Sequence, residues 1–512
     1  MKKSQNLNRS ALLVSSLTIF CRILGFARDT VIARYLGASG AADSFFASFK
    51  LSNLFRKIFG EGALFSGFVP VFTKINANSK EEAMLFSSRV FTIITIALLL
   101  VVALSEIFMD KVVLIICPGF TGEKLQYAIQ ISKITFPYFY FITSCSVLWG
   151  VLNSAGIFFY YGFVPAILSI VMIFFGLALK NHFNDIAICF SYALLVGGVF
   201  QLIVSYVGCL LNGFKITFTK PVMDANVKKV FKKMFNTTIS TSLTQINTII
   251  DGILASFIAS AVSYLYYADR IFYFPFSIVG ITLSIVSLPA ISKAVAQGDK
   301  NKNISLQNLA VKLILLYGLP AAVAMFFVAP SLTKTIFEYG DFTNFDTKCV
   351  AIIASIFACG LFFALANRFL SVLFFANSNT KTPMKITILG VLVNLTLSLL
   401  LVKVIGVYGI AIATSSSYFV SAAVMFIILK RRGYLLLDSS IKQFTLKIAI
   451  SCILLAFACF VFNKIFMLLQ LGFVLRVLYL TLFGIFCGAL YVASLYLLKI
   501  NILKITFSKN SF

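Results

Sequence analysis

The chain has 512 residues, of which 60% are hydrophobic and only 12% are charged. A soluble domain is about half apolar and about a quarter charged, so this composition excludes an ordinary soluble protein and indicates a polytopic membrane protein. The net charge of +26 would favour nucleic-acid binding in a soluble protein. Here Lys and Arg come in short clusters between apolar runs, as in the cytoplasmic loops of membrane proteins, and we expect no nucleic-acid partner.

Apolar runs long enough to cross a bilayer follow one another along the chain. A transmembrane helix needs about 20 mostly apolar residues. Twelve runs meet this requirement, and two more polar segments, near 12–36 and 45–72, precede them. The sequence therefore predicts an all-α polytopic membrane protein with about 14 transmembrane helices. The twelve runs are 90–109, 131–153, 163–180, 186–211, 238–260, 271–291, 313–329, 350–366, 386–406, 409–429, 446–462 and 478–498.

Charges inside the first two predicted spans point to a binding cavity. A charge at the bilayer centre costs about 2.5–3.5 kcal/mol, so such residues must face water, a partner charge or a ligand. Arg22 and Arg56 sit well inside their spans and lack an acid one turn away, whereas Arg28 is followed by Asp29. An excess of cations predicts an anionic ligand, and the planar guanidinium binds phosphate bidentately. Snorkelling to the interface and internal ion pairing, the latter for Arg28 with Asp29, are the alternatives.

Further charges occur in the second predicted span and in the second half of the chain. Glu61 lies near the cations of span 2, the pair Asp269-Arg270 lies at the outer end of span 8, and Arg368 lies deep in span 10. Asp251 stands within INTIIDGILASFIAS, far from any turn. A buried acid in lipid pairs with a cation or binds a proton or metal ion. With an oxygen ligand such as Asn379 it predicts a sodium or proton site, and an interhelical pair with an arginine is the alternative.

Loop charges and short repeats predict the topology. The N-terminus and the even-numbered connections are rich in Lys and Arg, and the odd-numbered ones are poor in them, which places both termini in the cytoplasm. We expect the N-terminus to be retained, since no small-residue cleavage site follows its positive start. Ala42-Asp43 recurs as Ala268-Asp269, and FVPVFTKI recurs as SLPAISKA, which suggests parallel repeats of a transporter. We predict two six-helix lobes related by a pseudo-twofold axis, 1–211 and 236–432, joined by a basic cytoplasmic linker, 212–235, with two extra helices and a tail in 433–512.

No catalytic constellation is visible in the sequence. The ten cysteines form no CxxC pair, and the single histidine, His182, cannot complete a zinc site with them. One histidine also leaves little scope for acid–base catalysis. We therefore predict a transporter rather than an enzyme.

The run SSLTIFCRILGFARDTVIARYLGASGAADSFFASFKLSNLFRKIFGEGALFSGFVPVF closely resembles the MurJ/MviN family. These are the bacterial lipid II flippases of the multidrug/oligosaccharidyl-lipid/polysaccharide exporter superfamily. Matches at CPGF (Cys117–Phe120), YYADRIFYFP (Tyr266–Pro275) and NTKTPMKI (Asn379–Ile386) extend the resemblance over essentially the whole chain.

The resemblance implies transport of lipid II, an undecaprenyl diphosphate bearing a disaccharide–pentapeptide, to the outer leaflet of the bacterial cytoplasmic (inner) membrane by alternating access. It implies a cationic cavity, a groove of spans 13 and 14 for the polyprenyl tail, and contacts with membrane lipids and with cell-wall synthesis proteins. No cofactor is implied beyond sodium or proton coupling. The residues that it implies are Arg22, Arg28, Arg56 and Arg368 for the substrate, Asp43, Asp269, Arg270 and Glu61 for an outer charge network, and Asp251 and Asn379 for sodium.

One departure and three rival functions accompany this interpretation. Tyr273 stands where many family members carry Glu, so an outer gate would depend on Asp269 or Asp43 instead. A flippase for another polyprenyl-diphosphate-linked glycan would need the same cations. A drug exporter usually takes cationic substrates, which arginines would repel, and a membrane enzyme of the polyprenyl-phosphate pathway would need the catalytic groups that are missing.

Overall fold

The computed structural model describes residues 2–502, with side chains described except at 2–15, 60–63, 66, 236, 239–241, 243, 244 and 281–288. Helices account for nearly all of residues 2–502, and no strand occurs in that range, which confirms the all-α prediction. The helices of the first part are α1 (Lys2–Leu36), α2 (Gly40–Phe55), a π-helical segment (Arg56–Leu64), α3 (Phe65–Asn78), α4 (Lys80–Ile107), α5 (Met109–Ile116), α6 (Gly122–Thr135), α7 (Tyr138–Ser154), α8 (Phe159–Phe174), α9 (Ile186–Leu211) and α10 (Ala225–Ser256). They are followed by α11 (Ala261–Ala296), α12 (Lys300–Leu313), α13 (Leu319–Phe337), α14 (Asn344–Ala376), α15 (Lys381–Ile405), α16 (Val407–Arg431), α17 (Ser440–Leu468) and α18 (Phe473–Leu497).

Ten helical stretches within the described residues are long and apolar enough to cross a membrane, and each overlaps a predicted span. The remaining four predicted spans, 12–36, 45–72, 238–260 and 271–291, are also largely helical. The chain is thus a multi-pass membrane protein, while the count of fourteen spans and the orientation of the termini stay predictions.

Polar side chains begin several of these helices. The first backbone N–H groups of a helix lack partners within it, and a side-chain oxygen just before the helix satisfies them. Asp185 accepts hydrogen bonds from the N–H groups of Ala187 and Ile188 at the start of α9. Asp224 does the same for Val227 at the start of α10, and also pairs at 2.7 Å with Arg89 of α4. The basic linker predicted over 212–235 therefore gives way to helix at Ala225.

The described chain forms two compact units. Unit 1 runs to Ser263 and includes the loop Tyr339–Phe342, and unit 2 holds Tyr264–Glu338 and the chain from Thr343 onward. In unit 1, α1 packs on α8, α2 on α6, and α10 on α3 and the π-helical segment. Buried hydrogen bonds join these helices, such as Trp149 Nε1 to Ser205 Oγ at 3.0 Å, as expected where lipid offers no partners.

Unit 2 is built around α14, which packs against α13 and α16, while α15 packs against α16. The last two helices, α17 and α18, pack against α13 through an apolar cluster that includes Val328, Phe462 and Phe466. Most of the apolar side chains of α18 remain exposed, as expected for a helix that faces lipid. The predicted lobe boundaries and the tail groove of the last two helices stay predictions.

Candidate substrate-binding residues and outer charge cluster

Arg28 is neutralised by its neighbour in the structure. Its Nε and Nη2 atoms donate to Asp29 Oδ1 at 2.9 and 2.7 Å, and both side chains are buried. The guanidinium also lies 5.6 Å from the centre of the Phe49 ring. The internal ion pair considered for Arg28 is therefore formed, and the pair as a whole contributes no net charge to a ligand.

Arg56 begins the π-helical segment of unit 1. Its Nε donates to Asn53 Oδ1 at 3.2 Å, and the side chain is half-buried. A π-helix has wider turns than an α-helix and often marks a functional site. Arg22, on α1, is half-buried as well. The side chain of Glu61, in the same π-helical segment, lies outside the described residues.

A lysine that the sequence analysis did not assign lies beside Asp251. Lys50 of α2 is half-buried, and a methyl group added at Gly252 of α10 would lie 3.8 Å from its Nζ. Its ammonium therefore lies against α10 at Gly252, the residue that follows the half-buried Asp251, the acid considered for a sodium site.

Asn379, the second residue considered for a sodium site, already has a partner for its amide oxygen. Asn379 belongs to unit 2, whereas Asp251 belongs to unit 1. The Oδ1 atom of Asn379 accepts from the backbone N–H of Thr382 at 3.1 Å, at the start of α15. Among the side chains that the structure describes, no group of three or more His, Cys, Asp and Glu could hold a metal ion. Sodium coupling stays a prediction.

Asp43 is the centre of a buried polar cluster in unit 1, called the Asp43 cluster here, which also contains Lys124, Ser260 and Ser263. The carboxylate is fully buried. Its Oδ2 accepts from Lys124 Nζ at 2.7 Å and from Ser260 N at 3.0 Å, and its Oδ1 accepts from Ser263 N and Oγ at 2.9 and 2.7 Å. One carboxylate thus joins α2, α6 and the first turn of α11, and it satisfies N–H groups at a helix N-terminus, where a negative charge is favourable.

The stretch Cys117–Phe120 packs against the same region. Gly119 N donates to Ser256 Oγ at 2.9 Å, and a side chain at Gly119 would overlap the backbone of Phe257. The Phe120 ring lies 4.2 Å from Lys124 Nζ. The CPGF motif therefore owes its glycine to a close backbone approach, and its aromatic ring supports the lysine that neutralises Asp43.

Two arginines of unit 2, Arg270 and Arg368, lie against aromatic rings. The Arg270 guanidinium is 4.3 Å from the centre of the Tyr266 ring, and that of Arg368 is 5.9 Å from the Phe276 ring. Asp269 and Arg270 are half-buried, and Tyr273, which replaces the usual acid, is 40% exposed. The network predicted between Asp43 and the Asp269-Arg270 pair stays a prediction.

Lys124 and Ser263 are the partners that the sequence analysis missed. The sequence shows Lys124 as one charge in a short loop, with Glu123 beside it, and nothing in its spacing from Asp43 indicates a contact. The CPGF motif four residues earlier was the available signal, because its glycine marks a close approach of two segments.

A family model described as lipid II flippase MurJ matches residues 32–480. The chain belongs to this family. The matched range includes Asp43, Arg56 and Arg368, while Arg22 and Arg28 precede it. Family members are transporters, so the prediction of a transporter rather than an enzyme is confirmed.

Individual relatives agree with this assignment. A probable lipid II flippase MurJ from Rickettsia prowazekii is 34% identical over 453 residues, 88% of this chain and 89% of the relative. The lipid II flippase MurJ of Burkholderia cenocepacia is 30% identical over 442 residues, 84% of either chain.

Solved structures show the same fold. A lipid II flippase MurJ in an inward closed conformation superposes with a TM-score of 0.77 at 26% identity, covering 95% of this chain and 100% of the other. An inward-facing multidrug resistance MATE family transporter reaches a TM-score of 0.68 at 16% identity, covering 82% of this chain and 98% of the other. At that identity the second match shows the fold alone.

Proposed function

We propose that this protein moves lipid II from the inner to the outer leaflet of the cytoplasmic membrane by alternating access. Membership of the lipid II flippase family, over most of the chain, is the observation that carries the proposal. The cargo carries a diphosphate, and a multivalent anion is costly to bring into a low-dielectric interior unless cations meet it there.

The cations that meet the diphosphate belong chiefly to Arg22 and Arg56. Both are half-buried on helical segments of unit 1, where a guanidinium keeps contact with water and with a ligand. Arg28 contributes less attraction, because Asp29 balances its charge. In unit 2, Arg368 is a further cation with an exposed side chain, and the small size of Gly280 leaves room for it. Arginine suits this role because it remains charged and binds phosphate oxygens in pairs.

The Asp43 cluster closes the outer side of unit 1 while the cargo site is open to the cytoplasm. Its four hydrogen bonds join segments at one end of unit 1. From the distribution of Lys and Arg among the loops, we predict that this end faces the outer side of the membrane. Since Tyr273 stands where many family members carry Glu, Asp43 supplies the acid on which closure depends.

The proposal is tested by replacing single arginines in cells that depend on this protein for growth. Arg22→Ala and Arg56→Ala should abolish complementation of a flippase-depleted strain at normal expression. Arg34→Ala is the matched control, because Arg34 lies on the same helix as Arg22 with an exposed side chain, and it should support growth. A leaflet-accessibility assay should show lipid II chemically intact but confined to the inner leaflet in the inactive variants. Full growth of both Arg22→Ala and Arg56→Ala would contradict the assigned site.

Three finer features belong to the same proposal. Both termini face the cytoplasm, which reporter fusions at either end can test. Transport is coupled to sodium or protons through Asp251, so Asp251→Asn should remove the ion dependence of flipping without abolishing membrane insertion. Cell-wall synthesis proteins bind the basic cytoplasmic loops, and cross-linking in cells from cysteines placed in 212–235 should recover them.

A further inference from the structure

Unit 2 contains an apolar groove that the transport mechanism does not use. It runs along α14 between α13 and α16 and encloses about 710 Å³. Phe326 and Pro330 of α13 form one wall, Ile412 and Phe419 of α16 form the other, and Ile352 and Cys359 of α14 lie in its floor. Phe326, Ile352 and Phe419 are each more than 40% exposed, so the groove opens to the surroundings of the helices.

The groove has a defined length. It extends along α14 from Lys348 to Phe363, and 15 residues of helix correspond to about 22 Å. Half of a bilayer, headgroups included, is about 20–22 Å thick. At its inner end the rings of Phe363 and Phe419 meet edge to face with centres 4.9 Å apart. A smaller cavity of about 300 Å³ continues beyond them toward Leu437. The groove is therefore about as long as one leaflet is thick, and the ring pair marks its end.

The chemistry of the groove is apolar along its length and cationic at one end. The hydroxyls of Ser355 and Ser415 donate to the backbone oxygens of Phe326 and Ile356, each at 2.9 Å, so neither hydroxyl needs a polar ligand. Lys348 stands at the mouth with an exposed side chain. Among the side chains that the structure describes, none forms an ion pair or hydrogen bond with its ammonium.

We infer that this groove binds an anionic phospholipid, with one acyl chain between α13 and α16 and the phosphate at the Lys348 ammonium. An acyl chain is the membrane component whose length matches one leaflet, and the phosphate complements the lysine. A polyprenyl tail is much longer than one leaflet and would have to displace the Phe363–Phe419 contact. The site does not depend on the proposed function, since its lining residues are separate from the arginines assigned to the cargo.

The test measures lipid retention by the full-length protein. Protein is equilibrated with vesicles of equal parts phosphatidylglycerol and phosphatidylethanolamine, and bound lipids are counted by native mass spectrometry. The wild type should retain phosphatidylglycerol preferentially. Lys348→Gln should lower that preference about fivefold, the value expected for one lysine near a lipid phosphate. Lys403→Gln is the matched control, because Lys403 is an exposed lysine at the predicted outer end of α15, and it should leave the preference unchanged. Equal preference in the wild type and in Lys348→Gln would overturn the inference.

Cys359 supplies a second measurement. It is the exposed cysteine of the groove, and the other nine cysteines are buried or half-buried. Phosphatidylglycerol should slow its alkylation by N-ethylmaleimide, followed at the level of the Cys359 peptide. Cys359→Phe should fill the groove and remove the retained phospholipid while the protein stays folded by size exclusion. Protection of Cys359 by a polyprenyl diphosphate lipid and not by phosphatidylglycerol would overturn the inference.

Discussion

Replacing Asp43 should open the region that its carboxylate holds closed. Asp43→Ala removes the acceptor of four hydrogen bonds and leaves the Lys124 ammonium beside buried N–H groups. Ser260 would also lose a bond that holds it at φ +60°, a conformation that costs a non-glycine residue about 1 kcal/mol or more. Asp43→Asn should be harmful too. One carboxylate oxygen becomes an NH2 group, which cannot accept a hydrogen bond, so at least one of the four donors would face another donor.

The size of the effect follows from the hydrogen bonds of the buried carboxylate, since the Lys124 side chain is 27% exposed and can be hydrated when Asp43 is removed. A charge-assisted hydrogen bond contributes about 1.5–3 kcal/mol, so the loss of two of the four costs about 3–6 kcal/mol. Since about 1.4 kcal/mol is tenfold in an equilibrium constant, the closed arrangement should lose roughly 10²- to 10³-fold or more in population relative to the open one. That loss is largest if all four bonds are absent from the open arrangement.

Cys117 is a natural reporter of this opening, because it begins the CPGF stretch and is 3% exposed. In a variant that keeps Cys117 as its single cysteine, a membrane-impermeant maleimide should label Asp43→Ala at least 100-fold faster than the parent, about the lower limit of the calculated shift. Glu123 is an exposed acid beside Lys124, and in Glu123→Gln the labelling of Cys117 should proceed at the parental rate. Equal labelling of Asp43→Ala and the parent would refute the closing role of the carboxylate.

Two further predictions concern the same unit. Gly119→Ala should also accelerate Cys117 labelling, since its Cβ would overlap the backbone of Phe257, and unchanged labelling would show that the CPGF stretch does not pack there. The pKa of Asp224 is lowered: burial opposes this, but hydrogen bonds from Val227 N and Arg89 outweigh it. A lowered pKa means that the contact stabilises the fold above pH 3.8 and is lost as the pH falls through the lower folded value. The protection of the amides in 212–224, relative to their intrinsic exchange rates at each pH, should therefore fall at low pH, and Arg89→Gln should make that fall smaller. A fall of equal size in Arg89→Gln would contradict the ion pair.

The apolar helices could be predicted from the sequence because a bilayer demands long uncharged runs. The predicted spans 186–211 and 409–429 fall within helices that begin at Ile186 and Val407. Breaks within a span were not visible in the same pattern. Pro137 divides α6 from α7 inside the predicted span 131–153, and residues 314–318 form a π-helical turn inside the predicted span 313–329. Hydropathy reports only the length and polarity of a run, and it carries no information on local helical pitch.

The candidate site, too, could be predicted from the sequence only in part. The sequence indicated which charges lie inside spans, because each has a large cost there, and it offered the Arg28–Asp29 pair as an alternative that the structure contains. The partner of Asp43 could not be predicted, since Lys124 is 81 residues away and their contact depends on how α2 packs on α6.

The π-helical segment from Arg56 to Leu64 has a consequence for how the second span can move. Nine residues there follow a wider pitch than the α-helices on either side. Tightening the segment to an ordinary α-helix by one residue of slip would turn α3 by about 100° relative to α2. Such a slip keeps the backbone hydrogen-bonded throughout. The second span can therefore rotate about its own axis at this segment, and change the direction of the Arg56 side chain, without breaking the helix inside the membrane.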